Sequence, residues 1–268
     1  LQTVQDMIKF TIVTITFNAE GVLKCTLDSV PAQHFPHVEH LIIDGASTDS
    51  TLQIANDYKS LSDNAHLGHD IRIMSEPDKG IYDAMNKGLR MATGDYICFL
   101  NAGDFFPTPH TLDTIVEKSC LESVASTQWP AVIYGNTDIV DSHGHFLRHR
   151  RLTPPKKLSW RSFRKGMLVC HQAFYARTDI ARHTPYDTRY RFSADVDWCI
   201  RVMKEAKRRE LQLRYVEDVV ANYTMEGQTT LHHKESLRER FDVMRSHYGI
   251  VVTIVMHLWF VVRQIIKK

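Results

Sequence analysis

The feature that most constrains this chain is an alternation in its first hundred residues. Short runs rich in β-branched and aromatic residues take turns with longer stretches of helical periodicity. Residues 10–15 (FTIVTI), 38–43 (VEHLII), 71–74 and 96–100 (YICFL) read as strands. Residues 21–30, 48–58 and 81–91 read as the helices between them, the first ending near Pro31 and the second opened by Ser47 or Thr48 as a cap. Strand and helix at this spacing predict an α/β fold with a mostly parallel sheet flanked by helices on both faces. At 268 residues the chain is long enough for one such domain with a sizeable core.

Beyond Thr127 the pattern changes. Residues 131–134, 168–175 and 211–216 read as strands and 196–207 as a helix. The segment holding Pro154 and Pro155 carries Arg148, Arg150, Arg151, Lys156 and Lys157, and reads as a solvated loop or as a contact for an anionic acceptor. The tail separates from the rest, which divides the chain into 1–230 and a helical extension over 231–268. Residues 231–248 form a charged amphipathic helix, and 250–262 are apolar almost all round before Arg263, Lys267 and Lys268. Thirteen helical residues span about 20 Å, short of a bilayer core. The tail is therefore expected to pack on the domain or on a second copy, or to lie on a membrane surface.

A net charge of +2 is too small to argue for nucleic acid. The five cysteines are odd in number and form no CxxC pair, so reduced thiols in a cytoplasmic setting are expected rather than disulfides or zinc. No basic segment followed by an apolar one opens the chain, so no secretory leader is expected.

Ligands of open parallel sheets bind at the carboxyl ends of the strands. Here those ends carry Thr16-Phe17-Asn18-Ala19-Glu20, Asp44 to Thr51, Ser75 to Gly80, and Asn101-Ala102-Gly103-Asp104. One such cluster is ordinary turn chemistry; four on one rim favour a binding crevice. Neither GxGxxG nor GxxxxGK[ST] occurs. An acid-rich rim accepts phosphate only through a metal, and Mg²⁺ or Mn²⁺ takes carboxylate and phosphate oxygens together. Asp104, directly after a buried strand, is the natural ligand. Asp195 follows Ser193 in the first turn of a helix, where a carboxylate serves equally as a cap or as a base.

These residues resemble glycosyltransferase family 2, inverting enzymes of the GT-A fold. The resemblance runs from about Phe10 to Asp197. The string from Ser75 to Gly88 (SEPDKGIYDAMNKG) is especially similar to a bacterial exopolysaccharide subgroup of the colanic-acid type. The resemblance implies a nucleotide-sugar donor with UDP as its nucleotide, a hexose or acetylhexosamine transferred, and a glycan or lipid-linked acceptor. It places Thr16, Phe17 and Asn18 along the nucleotide and Asp44 on the base. Glu20, Ser47, Asp78, Lys79 and Asn86 complete the expected nucleotide contacts. The family's Asp-x-Asp signature is altered: Asn101 stands where the first acid is usual and reads as a ribose contact, while Asp104 aligns with the metal-binding acid. Asp195 takes the catalytic base's place, with Asp197 beside it, and His171 and Gln172 fall near the acceptor or diphosphate. A nucleotidyltransferase and a non-catalytic sugar-nucleotide-binding protein are the alternatives. The first usually needs a glycine-rich loop after strand one, and here no glycine appears before Gly21.

Overall fold

A computed structural model describes residues 8–65, 68–119, 129–224 and 233–266. Four parallel strands form one half of the sheet: β1 (Phe10–Thr16), β2 (Val38–Asp44), β3 (Asp70–Ser75) and β4 (Tyr96–Phe99), in the order β3-β2-β1-β4. Every residue of β1 and β2 is buried, as expected of central strands covered on both faces. Helices α1 (Leu23–Ser29), α2 (Thr51–Ala65) and α3 (Ile81–Met91) make the crossovers. On α3, a Cβ at Gly88 would sit 2.6 Å from Val13 of β1. The missing side chain is what lets this helix lie close on the sheet.

The second half extends the same sheet with mixed direction. After α4 (Thr111–Lys118) come β5 (Val132–Val140), β6 (Phe146–His149), β7 (Phe174–Arg177), α5 (Thr178–Arg182), α6 (Ala194–Arg208) and β8 (Leu213–Thr224). Strand β7 runs antiparallel to β4 and β5, β6 antiparallel to β5, and β8 parallel to β5. Two sequence expectations are corrected here. The strand expected over 168–175 begins only at Phe174, because a 3-10 turn over His171–Ala173 precedes it, closed by the Ala173 N–H on the Cys170 carbonyl. Val169 and Cys170 are apolar because they are buried, not because they lie in a ladder. The basic segment is not a plain loop: it contains β6 and a 3-10 turn over Trp160–Lys165.

The tail forms α7 (His233–Tyr248) and α8 (Ile250–Ile266), joined at Gly249 with φ of +82°. The expected boundary at 230/231 lies outside the described residues. Helix α7 is tied into the domain. Glu239 accepts the N–H groups of Arg191, Phe192 and Ser193 at 2.6–3.0 Å, and His247 Nε2 meets Asp197 Oδ1 at 2.8 Å. Among the described residues no helix is long and apolar enough to cross a membrane. Cys25, Cys98, Cys170 and Cys199 are free thiols.

Candidate functional site

The register aligns Thr16, Asp44 and Ser75 across the ends of β1, β2 and β3. The turns that leave these ends are stapled together. The Asn18 N–H donates to Ser47 Oγ at 2.8 Å, and Asn18 Oδ1 accepts the Thr48 N–H at 2.9 Å. Glu20 Oε2 accepts the Ser50 N–H at 2.9 Å. Asn18 and Ala46 adopt left-handed backbone, with φ of +46° and +61°. Asn18, Glu20 and Ser47 thus build the rim's shape by bonding one loop to the other.

Asp44 lies beneath this rim, fully buried. Its Oδ1 accepts the Ser47 hydroxyl at 2.5 Å, and its Oδ2 accepts the Ser47 N–H and the Ser75 hydroxyl at 3.0 and 2.6 Å. The base contact expected from sequence would have to share a carboxylate that already accepts three hydrogen bonds. The acid that reaches the surface of the rim is Asp78. A Cβ on Gly45 would stand 2.6 Å from Asp78 Oδ2 and 3.3 Å from the Phe17 ring. The Phe17 ring is 63% exposed. An open aromatic face and a carboxylate therefore share the floor over Gly45. Lys87, to which sequence reasoning gave no role, holds this segment. Its buried ammonium bonds the Pro77 carbonyl at 2.9 Å and pairs with Glu76 at 3.1 Å.

Two further expected nucleotide contacts sit elsewhere. Asn86 is buried and exchanges two hydrogen bonds with the backbone of Tyr186, at 3.0 and 2.8 Å. It locks α3 to the loop before α6 and does not face the rim. Thr16 is buried with its hydroxyl unpartnered, under the rim rather than on it. Lys79 stays exposed.

The turn after β4 is pinned from two sides. The Thr26 hydroxyl of α1 donates to the Asp104 carbonyl at 2.7 Å, and Phe105 pairs through its backbone with Asn222 of β8. The Asp104 carboxylate is 5% exposed, accepting from Gln172 Nε2 at 2.6 Å and from the Thr224 N–H at 3.1 Å. Burial pushes it up to about 7, against these bonds that pull it down. Asn101 Oδ1, in the same turn, is buried with no hydrogen-bond partner. A raised carboxylate and an orphaned oxygen together suit a hard cation. No three His, Cys, Asp or Glu side chains cluster for a metal among the described residues, so a cation here would complete its shell with ligand and water oxygens.

Asp195 stands in the first turn of α6, partly exposed. Its Oδ1 accepts the Tyr82 hydroxyl at 3.2 Å and the Val196 N–H at 2.9 Å. Burial, then the Asp195 charge, holds the Tyr82 phenol well above its ordinary range, so Tyr82 remains a donor. Tyr186 stacks between Tyr82 and Trp198, with centroids 5.6 and 4.9 Å away. Burial raises the Tyr223 phenol to about 12, and the charges of both Asp104 and Asp195 add to it. Both acids therefore lie within electrostatic reach of Tyr223, which makes the space around it the candidate cleft.

Asp197 and His171 are engaged away from that cleft. Asp197 pairs with Arg201 at 2.6 Å and His247 at 2.8 Å, so both its oxygens are engaged. His171 is buried, meets the Tyr186 hydroxyl at 2.8 Å, and is pushed down to about 4 by burial. It is a core residue. Its neighbour Gln172 does reach the cleft, through Asp104. No local signal marked Tyr82, Lys87 or Glu239; their partners lie 113, 10 and 46–48 residues away.

Comparison with known proteins agrees with this geometry. Residues 11–183 match the model of Glycosyl transferase family 2. PGL/p-HBAD biosynthesis glycosyltransferases of Mycobacterium bovis and Mycobacterium tuberculosis are 33% identical over 250 residues, covering 92% of this chain and 89% of theirs. Among solved structures, S. aureus TarS 1-349 in complex with UDP-GlcNAc aligns with a TM-score of 0.67 at 18% identity, over 92% of this chain and 67% of that one. Glucosyl-3-phosphoglycerate synthase from Mycobacterium tuberculosis, solved with Mn²⁺ and UDP, aligns with a TM-score of 0.59 at 16% identity, over 91% and 81%. The fold is that of the GT-A transferases, and the nucleotidyltransferase alternative falls away. By its sequence match and its fold, the chain belongs to glycosyl transferase family 2.

Proposed function

We propose that this enzyme transfers a hexose or acetylhexosamine, with inversion, from a UDP-sugar to a hydroxyl of a lipid-linked saccharide. The observation that carries the reading is a pair of acids whose charges both reach Tyr223: Asp104, in the turn that holds the orphaned Asn101 oxygen, and Asp195, with Oδ2 free of any partner among the described residues. The exposed Phe17 ring and Asp78 offer a uracil a stacking face and an acceptor for its imide N–H. The UDP, UDP-GlcNAc and Mn²⁺ in the solved relatives' complexes support this donor and ion. The glycolipid-type acceptor draws support from the biosynthetic role named for the mycobacterial relatives.

In this mechanism Asp195 takes the proton of the acceptor hydroxyl as that oxygen attacks the anomeric carbon. The bond from that carbon to the diphosphate breaks on the opposite face, and UDP leaves. Tyr82 holds Asp195 Oδ1, leaving Oδ2 for the acceptor. A divalent ion, when bound by Asp104 and Asn101, neutralises charge on the leaving diphosphate. The reaction centre is oriented by the two walls of the cleft, and that positioning supplies much of the rate.

Thermal-shift titration with UDP-, GDP- and dTDP-sugars, in Mn²⁺ and in chelator, tests the reading. A UDP-sugar with Mn²⁺ is expected to stabilise most, by about 2.7 kcal/mol at a hundredfold excess over Kd. Asp104→Asn should erase the Mn²⁺-dependent part. Equal shifts in chelator, or a preference for GDP, count against it. Asp78→Ala is expected to weaken UDP binding by about 1.5–3 kcal/mol, the worth of a hydrogen bond to a charged group. Calorimetric titration giving unchanged affinity would remove Asp78 from the base subsite.

A further inference from the structure

Helix α8 has one face with no partner among the described residues. On its inner side Thr253 is buried, and the His257 ring packs against Phe241 of α7 at 5.0 Å. On its outer side Val251, Ile254, Val255, Leu258, Trp259 and Val262 are 43–72% exposed. Their spacing follows helical periodicity, so they form one apolar strip along the helix. A contiguous strip of this kind on a soluble protein marks a contact surface. Seventeen residues of helix reach only about 25 Å, and α8 does not qualify as a span.

Charge identifies what covers the strip. Helix α8 packs against the Trp160–Lys165 turn, where Arg161, Arg164 and Lys165 are exposed. Arg263 follows the strip at its far end. Residues 142–178 carry nine Lys and Arg and no Asp or Glu, and residues 250–268 carry three and none. Two of the three acids of α7 are engaged: Asp242 pairs with Arg245, and Glu239 turns inward to residues 191–193, while Glu235 is exposed in the helix's first turn. A symmetric dimer through this face would press the basic rim against its own image. An anionic bilayer matches both parts, taking the apolar strip at the acyl boundary and the basic rim at the headgroups, with Trp259 between them.

We propose that α8 and the adjoining Trp160–Lys165 turn form a docking surface for an anionic lipid bilayer. The surface lies close to the reaction. His247, three residues before α8 begins, bonds Asp197, two residues from Asp195. A docked helix thus brings the base's side of the cleft toward the lipid surface. Docking itself does not depend on the donor or on the reading of Asp195, and its test uses neither.

The full chain is centrifuged with phosphatidylcholine vesicles, with and without phosphatidylglycerol. It is expected to pellet with the anionic vesicles and to be released by salt. Val255→Asp with Leu258→Asp should abolish pelleting. Arg161→Glu, Arg164→Glu and Lys165→Glu together should lower it roughly a hundredfold or more, at about 1 kcal/mol per basic residue removed. UDP affinity should stay unchanged in both variants, which checks folding. If the double variant loses UDP binding, the charge-reversed variant decides. Wild-type protein left in the supernatant with anionic vesicles overturns the proposal, as does equal pelleting of the charge-reversed variant. So does a dimer in light scattering that the double variant splits, since the strip then belongs to a second copy.

Discussion

Asp195→Asn is expected to cut sugar transfer by roughly 10²–10⁴-fold, the usual worth of general base catalysis. Asparagine keeps the shape of the side chain, and its amide oxygen can still accept the Tyr82 hydroxyl that now lies at 3.2 Å. What it removes is the basic Oδ2. UDP affinity should stay within a factor of two or so, because the proposed base contacts, Phe17 and Asp78, gather over Gly45 and make no contact with Asp195 among the described hydrogen bonds. Initial rates of UDP release, with the donor chosen by thermal shift, measure the first effect; a UDP titration measures the second. Turnover within tenfold of wild type would take the proton-accepting role from Asp195. Asp197 would not inherit it, since Arg201 and His247 already hold both its oxygens.

Acid is expected to weaken the fold through two buried histidines, an effect that one buried acid partly offsets. His40 and His171 are both fully enclosed, and burial pushes them down to about 3 and about 4. His40 is fixed as the neutral ring. The Thr14 hydroxyl donates to the Leu100 carbonyl, so it accepts from His40 Nε2, while Nδ1 faces the Tyr58 hydroxyl. In the unfolded chain both rings protonate near their ordinary value of 6.5. Their contribution is therefore complete above pH 6.5 and is lost as the pH falls from there toward 4. At 1.36 kcal/mol per unit the two lose up to about 8 kcal/mol, comparable with a whole domain's stability. Asp104 acts in the opposite sense. Its folded value of about 7 lies above its ordinary 3.8, so without metal it returns up to about 4 kcal/mol over the same descent. Urea unfolding at pH 7.5, 6 and 5 in chelator should show a net fall of only about 1 kcal/mol by pH 5, widening to about 4 kcal/mol in Asp104→Asn, which lacks the opposing acid. A flat profile in that variant would mean that neither imidazole stays neutral in the fold.

Three strands of the first half of the sheet, β1, β2 and β4, were legible because each is covered on both faces. Such strands read as unbroken β-branched runs, and residues 10–15 and 38–43 lie within β1 and β2. Residues 168–170 misled because burial in a turn and burial in a ladder select the same side chains. At the site, residue type and chain position singled out Asp104 and Gln172, which the fold bonds to each other, and Asp195, whose charge reaches the same Tyr223. They were not enough to tell a carboxylate that faces ligand from one that is spent on its neighbours. Asp44 and Asp78 are both acids near strand ends, yet Ser47 and Ser75 consume the first, and the absence of a side chain at Gly45 frees room for the second. Asn86 lies within the string that most resembles the family, but its partner is a backbone a hundred residues away. Only the folded topology brings such pairs together.

The anchoring of Asp195 by α7 bears on how the protein is made. Phe17, Asp44, Asp78 and Asn101 emerge early from the ribosome, and their rim closes through contacts within the first hundred or so residues. The loop that leads into Asp195 has to wait for Glu239, and Asp197 for His247. Synthesis thus delivers the nucleotide wall first and the proton acceptor's support last. A chain released early by a premature stop would lack that support.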